Sequence, residues 1–510
     1  MISKKTTLKL SIFFTGFAGI VAEYLLSTLA SYLLGDTIFQ WTMTISLMLL
    51  AMGIGARISK KIKKQDLVNS LILIEICISL TVSFSVYLSY IQAPYSDRLS
   101  FFIYFMCFLV GSLIGMEIPL AVRINDSFEE LKENISNILE KDYLGALPGG
   151  ILYGYFFLPK LGLIYTPIIV GSINLLVAGL IFISFSKEIS KKILSLYILS
   201  ILIIGTFTLI AKPIYLKAEQ KFYRDPIVSI KQTKYQKIVL TKWQDDYLLY
   251  LDGHLQLNTV DEKRYHEPIV HIPVSIVKPS KVLVIGGGDG CVIRELEKYK
   301  DIKKIVLVDL DKEFVEFSKN NVIMKKINKN SFFDKRVKVY FEDGFKFVKV
   351  YNKKNRDCFD LVIVDLTDPR NIRSARLYTK EFYTFLYNII SPKGAIITQA
   401  SSPFFAEKTF CCIIKTIESG NFYTYPMYIS IPSFGEWGFV LGLKENISTQ
   451  RLKKIIYKNF NETCTNYLTK QIAISLFNMP KDFGCNNIKI NTLINPIIIQ
   501  YYDDKMWDLL

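Results

Sequence analysis

The chain has 510 residues, of which 50% are hydrophobic and 14% are aromatic. This length and composition exclude a single small binding module and a disordered chain, and they favour several domains, one of them embedded in a membrane. The net charge of +16 agrees with binding to nucleic acid, with an anionic membrane face, or simply with a lysine-rich composition, so the placement of the lysines has to decide.

Apolar runs dominate residues 1–212, and each approaches the length of about 20 residues that spans a bilayer. Seven runs are predicted to form a multi-pass transmembrane domain, at 10–34, 38–56, 67–91, 101–121, 143–163, 164–185 and 193–211. Pro148-Gly149-Gly150 interrupts the fifth run and Pro159-Lys160 closes it, so we expect this run to be broken or re-entrant. A separate amphipathic surface helix is predicted just before it, in the sequence INDSFEELKENISNILEKD.

Clusters of basic residues give this region an orientation. They precede the first run (Lys4, Lys5 and Lys9), follow the second (RISKKIKK) and follow the sixth (Lys187, Lys191 and Lys192). The positive-inside rule places all three clusters in the cytoplasm. Seven crossings would then leave everything after residue 212 outside the cell.

Acidic residues occur inside the apolar runs at Glu23, Glu75 and Glu117, and Asp142 lies at the edge of a run. Inside a membrane such groups usually face the interior of the helix bundle and mark a path for cations or protons. A protonated or hydrogen-bonded carboxyl group with a purely structural role explains them equally simply, so both interpretations stay open.

Beyond residue 212 the sequence alternates between strand-like and helical segments. The segments IVSIKQTKYQKIVLTKW and YLLYLDGHLQL predict a small antiparallel β subdomain within 213–275. Over 276–445, VLVIGGGDG, KIVLVDLD, VKVYFEDG and FDLVIVDLTDP each end an apolar strand in a Gly or Asp turn, with helical patterns between them. This order predicts a Rossmann-like, methyltransferase-type domain with a doubly wound parallel sheet, whose ligands lie at the carboxyl ends of its strands. Residues 446–510 are expected to form a C-terminal extension.

A glycine-rich loop, residues 286–290, follows a predicted strand and opens a helix, so its backbone can approach a ligand closely. A dinucleotide fingerprint would need glycine at the position of Cys291, and the carboxylate of Asp289 would repel a pyrophosphate. A nucleoside without phosphates fits better. Asp309 ends the next strand, where such folds place an acid that binds ribose hydroxyls, although a turn-forming aspartate is an equal alternative.

Aspartates stand at the ends of successive strands, at positions 289, 309, 311, 343, 365 and 368. One such aspartate is usually a turn former, but several converging on one crevice predict a site for a cation. The pair Asp365 and Asp368 lies three residues apart in a turn. Two carboxylates so placed can share one amine, binding it and accepting its proton.

A metal site is not expected. His266 and His271 are five residues apart with Pro268 between them, whereas zinc-binding helices place two histidines four residues apart. The eight cysteines are scattered without a CxxC pair, so we expect neither a disulfide nor a zinc framework. For His266, a role as substrate ligand and a purely structural role both stay open.

Several of these segments occur in the order found in the polyamine aminopropyltransferases, the family of the spermidine synthases. The chain resembles this family over about 225–482, in YQKIVL, LDGHLQ, DEKRYHEPIVH, VLVIGGGDG, LVDLD, EDGFKF, VIVDLTDP and YLTKQIAISLFNMP. The hydrophobic first half with DYLGALPGG, and the sequence IPSFGEWGFVLG, resemble the branch in which the synthase is fused to a multi-pass membrane domain. The resemblance implies aminopropyl transfer from decarboxylated S-adenosylmethionine, a co-substrate, to putrescine, giving spermidine and methylthioadenosine without a cofactor or metal.

The resemblance also implies roles for individual residues. Asp365 would be the proton acceptor and Asp368 would orient the diamine. The other implied ligands are Gln236 and Asp309 at the sugar, Asp343 and Gly344 at the adenine, and Asp289, Tyr265 and His266 at the aminopropyl and polyamine groups.

Three features depart from the family pattern. Asp309 stands where many members have Glu, Phe434 stands where many have Tyr, and RNIRSARLY replaces a loop that contains Gly and Pro. These departures leave the preferred acceptor open, with Tyr425, Tyr428 or Trp437 as replacements for the phenol missing at position 434.

Alternatives within the enzyme class are spermidine or agmatine as acceptor and, less favoured, a methyltransferase that uses intact S-adenosylmethionine. From another class, a membrane transporter or sensor of polyamines would account for the acidic residues in the apolar runs. Nucleic-acid binding is disfavoured because the lysines are dispersed. The donor is expected inside the cell, so we expect a multi-pass cell-membrane protein with a cytoplasmic catalytic domain. This location conflicts with seven crossings, which would place the catalytic domain outside. The expected partners are the lipid bilayer and the two substrates, and homo-oligomer formation stays open.

Overall fold

The computed structural model describes residues 3–35, 37–95, 98–354 and 358–502. The chain forms two compact units, Met1–Ile227 and Val228–Leu510. The first unit is helical, whereas the second contains two β-sheets and the helices around them.

Long helices build the first unit. They are α1 (Lys4–Leu34), α2 (Thr37–Ser59), α3 (Leu67–Gln92), α4 (Leu99–Asn125), α5 (Leu131–Leu152), α6 (Gly162–Ser184) and α7 (Lys191–Glu219). Six helical stretches among the described residues are long and apolar enough to cross a membrane, with α5 and α6 counted as the single stretch Leu131–Ser184. The fifth and sixth predicted runs are thus joined by helical residues, and the backbone departs from regular helical geometry between them at Gly162.

The interruption expected at Pro148-Gly149-Gly150 is absent from this described stretch, because α5 runs through it to Leu152. The helix continues as a π-helical segment, Tyr153–Leu161, and the regular path ends only at Gly162, whose φ of 61° lies in the left-handed region. The predicted amphipathic helix is also no separate element, since its second half forms the first turns of α5.

The glycines of α5 serve helix packing instead of helix breaking. A Cβ atom at Gly145 would overlap the carbonyl oxygen of Phe13 in α1, and a Cβ at Gly149 would lie 2.6 Å from the carbonyl oxygen of Phe17. Small residues allow two apolar helices to approach this closely. The sequence pattern alone did not distinguish such a contact from a break.

Carboxyl groups are buried within this bundle. Glu75 in α3 and Glu117 in α4 are 0% and 3% exposed. The two groups interact with each other, and no described residue donates a hydrogen bond of ordinary geometry to either oxygen of Glu75. The expectation that these acids face the bundle interior is therefore met at both positions.

The second unit begins with a four-stranded antiparallel sheet in the order β1-β2-β3-β4. Its strands are β1 (Ile227–Gln232), β2 (Lys237–Trp243), β3 (Asp246–Leu251) and β4 (His254–Asn258). The sheet contains the two segments predicted to form the small β subdomain. Helix α8 (Lys263–Val277) follows it and carries two residues of the predicted site, Tyr265 and His266.

A seven-stranded sheet forms the centre of this unit, in the order β10-β11-β9-β8-β5-β6-β7. Its strands are β5 (Lys281–Gly286), β6 (Lys304–Asp309), β7 (Val337–Phe341), β8 (Phe359–Asp365), β9 (Ile390–Gln399), β10 (Tyr423–Ile431) and β11 (Gly435–Leu443). The helices are α9 (Cys291–Leu296), α10 (Lys312–Asn320), α11 (Val322–Ile327), α12 (Gly344–Lys354), α13 (Ile372–Ala375), α14 (Lys380–Ile389), α15 (Glu407–Ser419), α16 (Thr449–Asn459), α17 (Lys470–Ser475) and α18 (Ile498–Tyr501).

Five strands of this sheet are parallel, and apolar side chains cover both of its faces, which confirms the predicted Rossmann-like fold. The prediction of a doubly wound parallel sheet is incomplete, because β11 pairs antiparallel with β9 and β10 pairs antiparallel with β11. These two strands form a hairpin, which needs no crossover helix.

One disulfide joins Cys411 in α15 to Cys485, across a sequence separation of 74. The expectation that the cysteines form no disulfide is therefore wrong for this pair. Sequence spacing could not reveal it, because the fold brings the two residues together from distant positions, with their Cα atoms 5.2 Å apart.

Candidate active site

The site lies where the order of strands in the large sheet reverses. Strands β5 and β8 are neighbours there, and Gly286 pairs with Asp365 at their carboxyl ends. Gly286 has a φ of 79°, and a Cβ atom at this position would overlap the carbonyl oxygen of Asp365. The amide of Gly287 donates to that same oxygen at 2.9 Å. Glycine is thus required at position 286, and the loop is fixed against the end of β8 at a crevice typical of ligand binding.

Asp365 ends β8 and is partly buried. The hydroxyl of Tyr265 donates to its Oδ1 at 2.6 Å. Burial, and then the negative charge of Asp289, raise the pKa of Asp365 to about 6, while His266 and the Tyr265 hydroxyl oppose this rise. Asp365 is therefore still ionised at neutral pH but is a much stronger base than an exposed aspartate.

His266, Asp289 and Asp365 form a compact cluster, in which one ligand-type atom of each residue lies within 4.8 Å of the others. Asp289 is held by its own loop, because the amide of Cys291 donates to its Oδ1 at 2.7 Å. The three residues come from α8, the glycine-rich loop and β8. The two carboxylates of this small space suit the binding of an ammonium group, since carboxylates accept charge-assisted hydrogen bonds.

Glu262 holds His266 in place. Nδ1 of His266 donates to Oε2 of Glu262 at 2.7 Å, and Nη2 of Arg294 reaches the same oxygen at 2.7 Å. Burial alone would raise the pKa of Glu262, but His266 and Arg294 together lower it to about 2. Burial would likewise lower the pKa of His266, and the hydrogen bond and charge of Glu262 outweigh burial and raise it. The pair therefore favours a carboxylate next to a protonated imidazole.

The predicted ligands of the sugar lie together at the end of β6. Nε2 of Gln236 donates to Oδ2 of Asp311 at 3.0 Å, and the amide of Asp311 donates to Oδ1 of Asp309 at 2.8 Å. A Cβ atom at Gly288 would lie 2.6 Å from Oδ2 of Asp309, so the glycine-rich loop approaches this carboxylate closely. Burial, followed by the charges of Asp311 and of the other site acids, raises the pKa of Asp309 to about 7.

The predicted adenine ligands open α12. Oδ1 of Asp343 accepts a hydrogen bond from the amide of Lys346 at 2.9 Å, and its Oδ2 pairs with the guanidinium of Arg376. Gly344 lies tightly against β5, because a Cβ atom there would be 2.7 Å from Cγ2 of Ile285. A cavity of about 400 Å³ lies at this end of the site, lined by Leu310, Asp343, Ile372, Arg373 and Arg376. Two of its lining residues are arginines of the unusual segment RNIRSARLY.

Asp368 lies at the other end of the turn that follows β8, and its side chain is 6% exposed. The hydroxyl of Tyr502 donates to its Oδ2 at 2.8 Å. Oδ1 is buried, and within the described ranges no group donates to it with hydrogen-bond geometry. Burial raises the pKa of Asp368, against the charge of Arg370 and the polar groups of Tyr502, Gln399 and Ser401.

The structure thus brings Tyr265, His266, Asp289 and Asp365 into one cluster and places Asp309 with Gln236, and Asp343 with Gly344, at neighbouring strand ends. Sequence reasoning missed Glu262, Arg376 and Tyr502. Glu262 was detectable, since it precedes His266 by one helical turn. Arg376 and Tyr502 follow only from tertiary packing.

The other two histidines lie apart from this cluster. Nε2 of His271 bonds to Glu295 at 2.7 Å, and the ring of His254 accepts from the guanidinium of Arg370 at 2.7 Å. A second group of metal-ligand types, Glu262, His266 and Cys291, shares His266 with the first. Nδ1 of His266 already bonds to Glu262, so the two clusters that share His266 belong to one hydrogen-bonded network.

The aromatic residues weighed as replacements for a phenol at 434 occupy different places. The rings of Phe434 and Trp437 lie 5.4 Å apart, and Trp437 lies 6.5 Å from the ring of Tyr265, which borders Asp365. The hydroxyl of Tyr425 instead donates to the carbonyl oxygen of Ile447 at 2.6 Å. Trp437 therefore borders the site, while the phenol of Tyr425 is engaged elsewhere.

Comparison with known proteins gives consistent results. Residues 262–454 match the family described as the spermine/spermidine synthase domain. Polyamine aminopropyltransferase 2 of Aquifex aeolicus is 48% identical, with 98% of this chain and 99% of that protein covered. The polyamine aminopropyltransferases of Oceanobacillus iheyensis and Leptospira interrogans are each 37% identical, covering 96% and 99% of this chain and 95% and 99% of their own lengths. A solved spermidine synthase in complex with the transition state analogue AdoDATO is 25% identical, with a TM-score of 0.46 over 50% of this chain and 86% of that one.

Proposed function

The chain belongs to the polyamine aminopropyltransferases and is an enzyme of this type; on this premise we propose that it transfers the aminopropyl group of decarboxylated S-adenosylmethionine to putrescine, giving spermidine and methylthioadenosine. One observation carries the proposal most directly. His266, Asp289 and Asp365 converge within 4.8 Å at the strand-reversal crevice, and the hydroxyl of Tyr265 orients Asp365.

Charge complementarity explains the choice of donor. Decarboxylated S-adenosylmethionine has lost the carboxylate of the intact molecule and carries a free ammonium at the end of its aminopropyl chain. The carboxylate of Asp289 would bind this ammonium and would repel the carboxylate of intact S-adenosylmethionine. Asp309 and Gln236 would contact the ribose, and Asp343 with Gly344 the adenine.

The reaction then needs a neutral amine. An alkylammonium has a pKa near 10.4, so at pH 7 its neutral form is disfavoured by about 3.4 pKa units, or about 4.6 kcal/mol. In our proposal Asp365 accepts the proton, and the nitrogen lone pair attacks the aminopropyl carbon bonded to sulfur. The C–S bond breaks, its electron pair stays on sulfur, and the neutral thioether leaves. Asp368 holds and orients the diamine. The residues supply binding, orientation and a proton acceptor, and the proposed step uses no metal or cofactor.

Product analysis tests this proposal. The full chain in detergent is supplied with decarboxylated S-adenosylmethionine and, separately, putrescine, spermidine or agmatine, and the products are identified by mass. Formation of methylthioadenosine with spermidine from putrescine is the expected result. Preferential turnover of another amine would identify that amine, instead of putrescine, as the acceptor. Tighter binding of intact S-adenosylmethionine than of its decarboxylated form would contradict the assigned donor.

We further propose that the first unit spans the cell membrane and that the second unit lies in the cytoplasm, where the donor is expected. The apolar helices of the first unit support the first part. A reporter fused after Leu510 tests the second part, and periplasmic behaviour of the reporter would contradict it.

The buried, interacting pair Glu75 and Glu117 favours a second candidate function, the movement of a cationic polyamine through the helix bundle. Uptake of labelled polyamine into vesicles that contain the full chain tests it. Loss of uptake with Glu117→Gln, but not with Asp365→Asn, would support transport as an activity distinct from synthesis. Absence of uptake by the unchanged protein would leave these carboxyls with a structural role.

A further inference from the structure

We propose that Tyr502 is a positioning residue of the acceptor-amine site, which acts by fixing one oxygen of Asp368 so that the other is presented to the amine. The inference rests on the proposed function, because it assumes that Asp368 binds the acceptor. It adds a residue that lies outside both the segments of family resemblance and the matched range 262–454.

The geometry at Asp368 divides its two oxygens. The Tyr502 hydroxyl donates to Oδ2 at 2.8 Å, whereas Oδ1 is buried without a described donor. A buried carboxylate oxygen without a partner is costly, so it marks a place where a donor group is missing. An ammonium group of a diamine is such a donor, and it would supply the opposite charge.

Arg370 contributes to the same arrangement. Its guanidinium lies 5.0 Å from the centre of the Tyr502 ring, and Nη2 is 3.9 Å from Oδ2 of Asp368. The cation stacked on the ring restricts how the phenol can rotate. The hydroxyl and the guanidinium both address Oδ2, whereas Gln399 and Ser401 lie near the carboxylate and neither forms a hydrogen bond of full geometry with Oδ1.

The segment before Tyr502 is anchored, so the phenol is presented from a fixed backbone. Asn491 is fully buried, and its Nδ2 donates to the carbonyl oxygens of Ala375 and Tyr378 at 3.0 Å each. The amide of Lys380 donates to the carbonyl oxygen of Asn491 at 2.9 Å, which provides a second attachment. A side chain positioned in this way loses little further freedom when it orients Asp368.

This placement also bears on the missing phenol at position 434. Phe434 cannot donate a hydrogen bond, and the described structure supplies a phenol to the aspartate turn from Tyr502. In this chain a residue from the C-terminal segment therefore contributes to the acceptor end of the site, and we infer that it influences which amine is accepted.

Tyr502→Phe in the full chain tests the inference, with Tyr501→Phe as the matched control. Tyr501 is the neighbouring phenol, and its oxygen accepts a 3.3 Å hydrogen bond from the amide of Lys489. Steady-state kinetics with putrescine, 1,3-diaminopropane, cadaverine and spermidine give kcat and KM for each. For Tyr502→Phe we expect the KM for putrescine to rise about tenfold, as for loss of a charge-assisted hydrogen bond, and the preference among the amines to change. The donor KM should stay within about twofold for both variants.

An unchanged putrescine KM in Tyr502→Phe would overturn the inference. Equal rises in the KM of both substrates, or the same rise in Tyr501→Phe, would also overturn it, because they indicate a general structural effect. If the unchanged enzyme turns over none of the amines, the proposed function fails. Calorimetric titration with putrescine then tests the role of Tyr502 independently of turnover. Weaker binding to Tyr502→Phe than to Tyr501→Phe would still support the role of Tyr502, whereas equal or absent binding would refute it.

Discussion

Replacement of Asp365 by asparagine removes the proposed proton acceptor while keeping the size of the side chain and its ability to accept a hydrogen bond from Tyr265. In water, proton transfer from an alkylammonium to an ordinary aspartate is uphill by about 6.5 pKa units. The buried site raises the pKa of Asp365 to about 6. The difference between the two pKa values then falls to about 4.4 units, so the free-energy cost of the proton transfer is about 3 kcal/mol lower than with an ordinary aspartate.

An amide cannot take up this proton, so Asp365→Asn should lower kcat by about 10²- to 10⁴-fold, the range that a positioned general base contributes. The donor KM should change by less than about twofold, because the ribose and adenine contacts lie elsewhere. Asp301→Asn, at an exposed position before β6, is the matched control and should retain full activity.

The pH profile provides the second part of the assay. Asp365 must be ionised to act, so kcat/KM for putrescine, measured with the unchanged enzyme at saturating donor, should fall on the acid side with a midpoint near pH 6. Activity at pH 5 should accordingly be about tenfold below that at pH 7. A variant Asp365→Asn that keeps more than about a tenth of the kcat, or that shows the same acid limb, would refute the assignment of Asp365 as the base.

Three further predictions follow from neighbouring groups. Tyr265→Phe removes a hydrogen bond that stabilises ionised Asp365, so the acid limb of kcat/KM should move to higher pH; an unshifted limb would contradict the contact. Asp309 has a pKa raised to about 7, so binding of methylthioadenosine, measured by calorimetry, should weaken as the pH falls from 8 to 6, and Asp309→Asn should bind weakly but without this dependence. Glu262 has a folded pKa of about 2, below its ordinary 4.5, so its stabilisation is complete above pH 4.5 and is lost as the pH falls towards 2. Thermal unfolding should show that Glu262→Gln costs about 3 kcal/mol at pH 7 and less below pH 4.5, and an equal cost at both would count against the contact with His266.

The sequence was sufficient to predict the catalytic fold because its strands carry an unusually regular pattern. Strands β5, β6 and β8 end at Gly286, Asp309 and Asp365. Parallel strands bring these ends to one edge, so the meeting of Asp309 and Asp365 with the glycine-rich loop follows from topology alone. The sequence did not reveal that β10 and β11 run antiparallel to their neighbours, since a buried apolar run has the same pattern in either direction.

Contacts between distant parts of the chain were beyond such reasoning. Tyr502 meets Asp368 across 134 positions, and Arg376 meets Asp343 through a loop without a family pattern. In the helical unit, a glycine pattern that usually indicates a break marks the contact of α5 with α1, because backbone crowding at Gly145 depends on the neighbouring helix. Periodicity reports what one segment buries, and it does not identify the segment that packs against it.

The disulfide between Cys411 and Cys485 has a consequence for the cell biology of the protein. Closing a loop of this size restricts the unfolded chain by about 4 kcal/mol in the chain-entropy account. Such bonds persist in oxidising compartments and are generally opened by the thiol pool of the cytosol. The oxidation state of this pair in intact cells, measured by alkylation and mass, therefore tests the proposed location of the catalytic unit without any fusion: two free thiols agree with a cytoplasmic site, and a persistent bond counts against it.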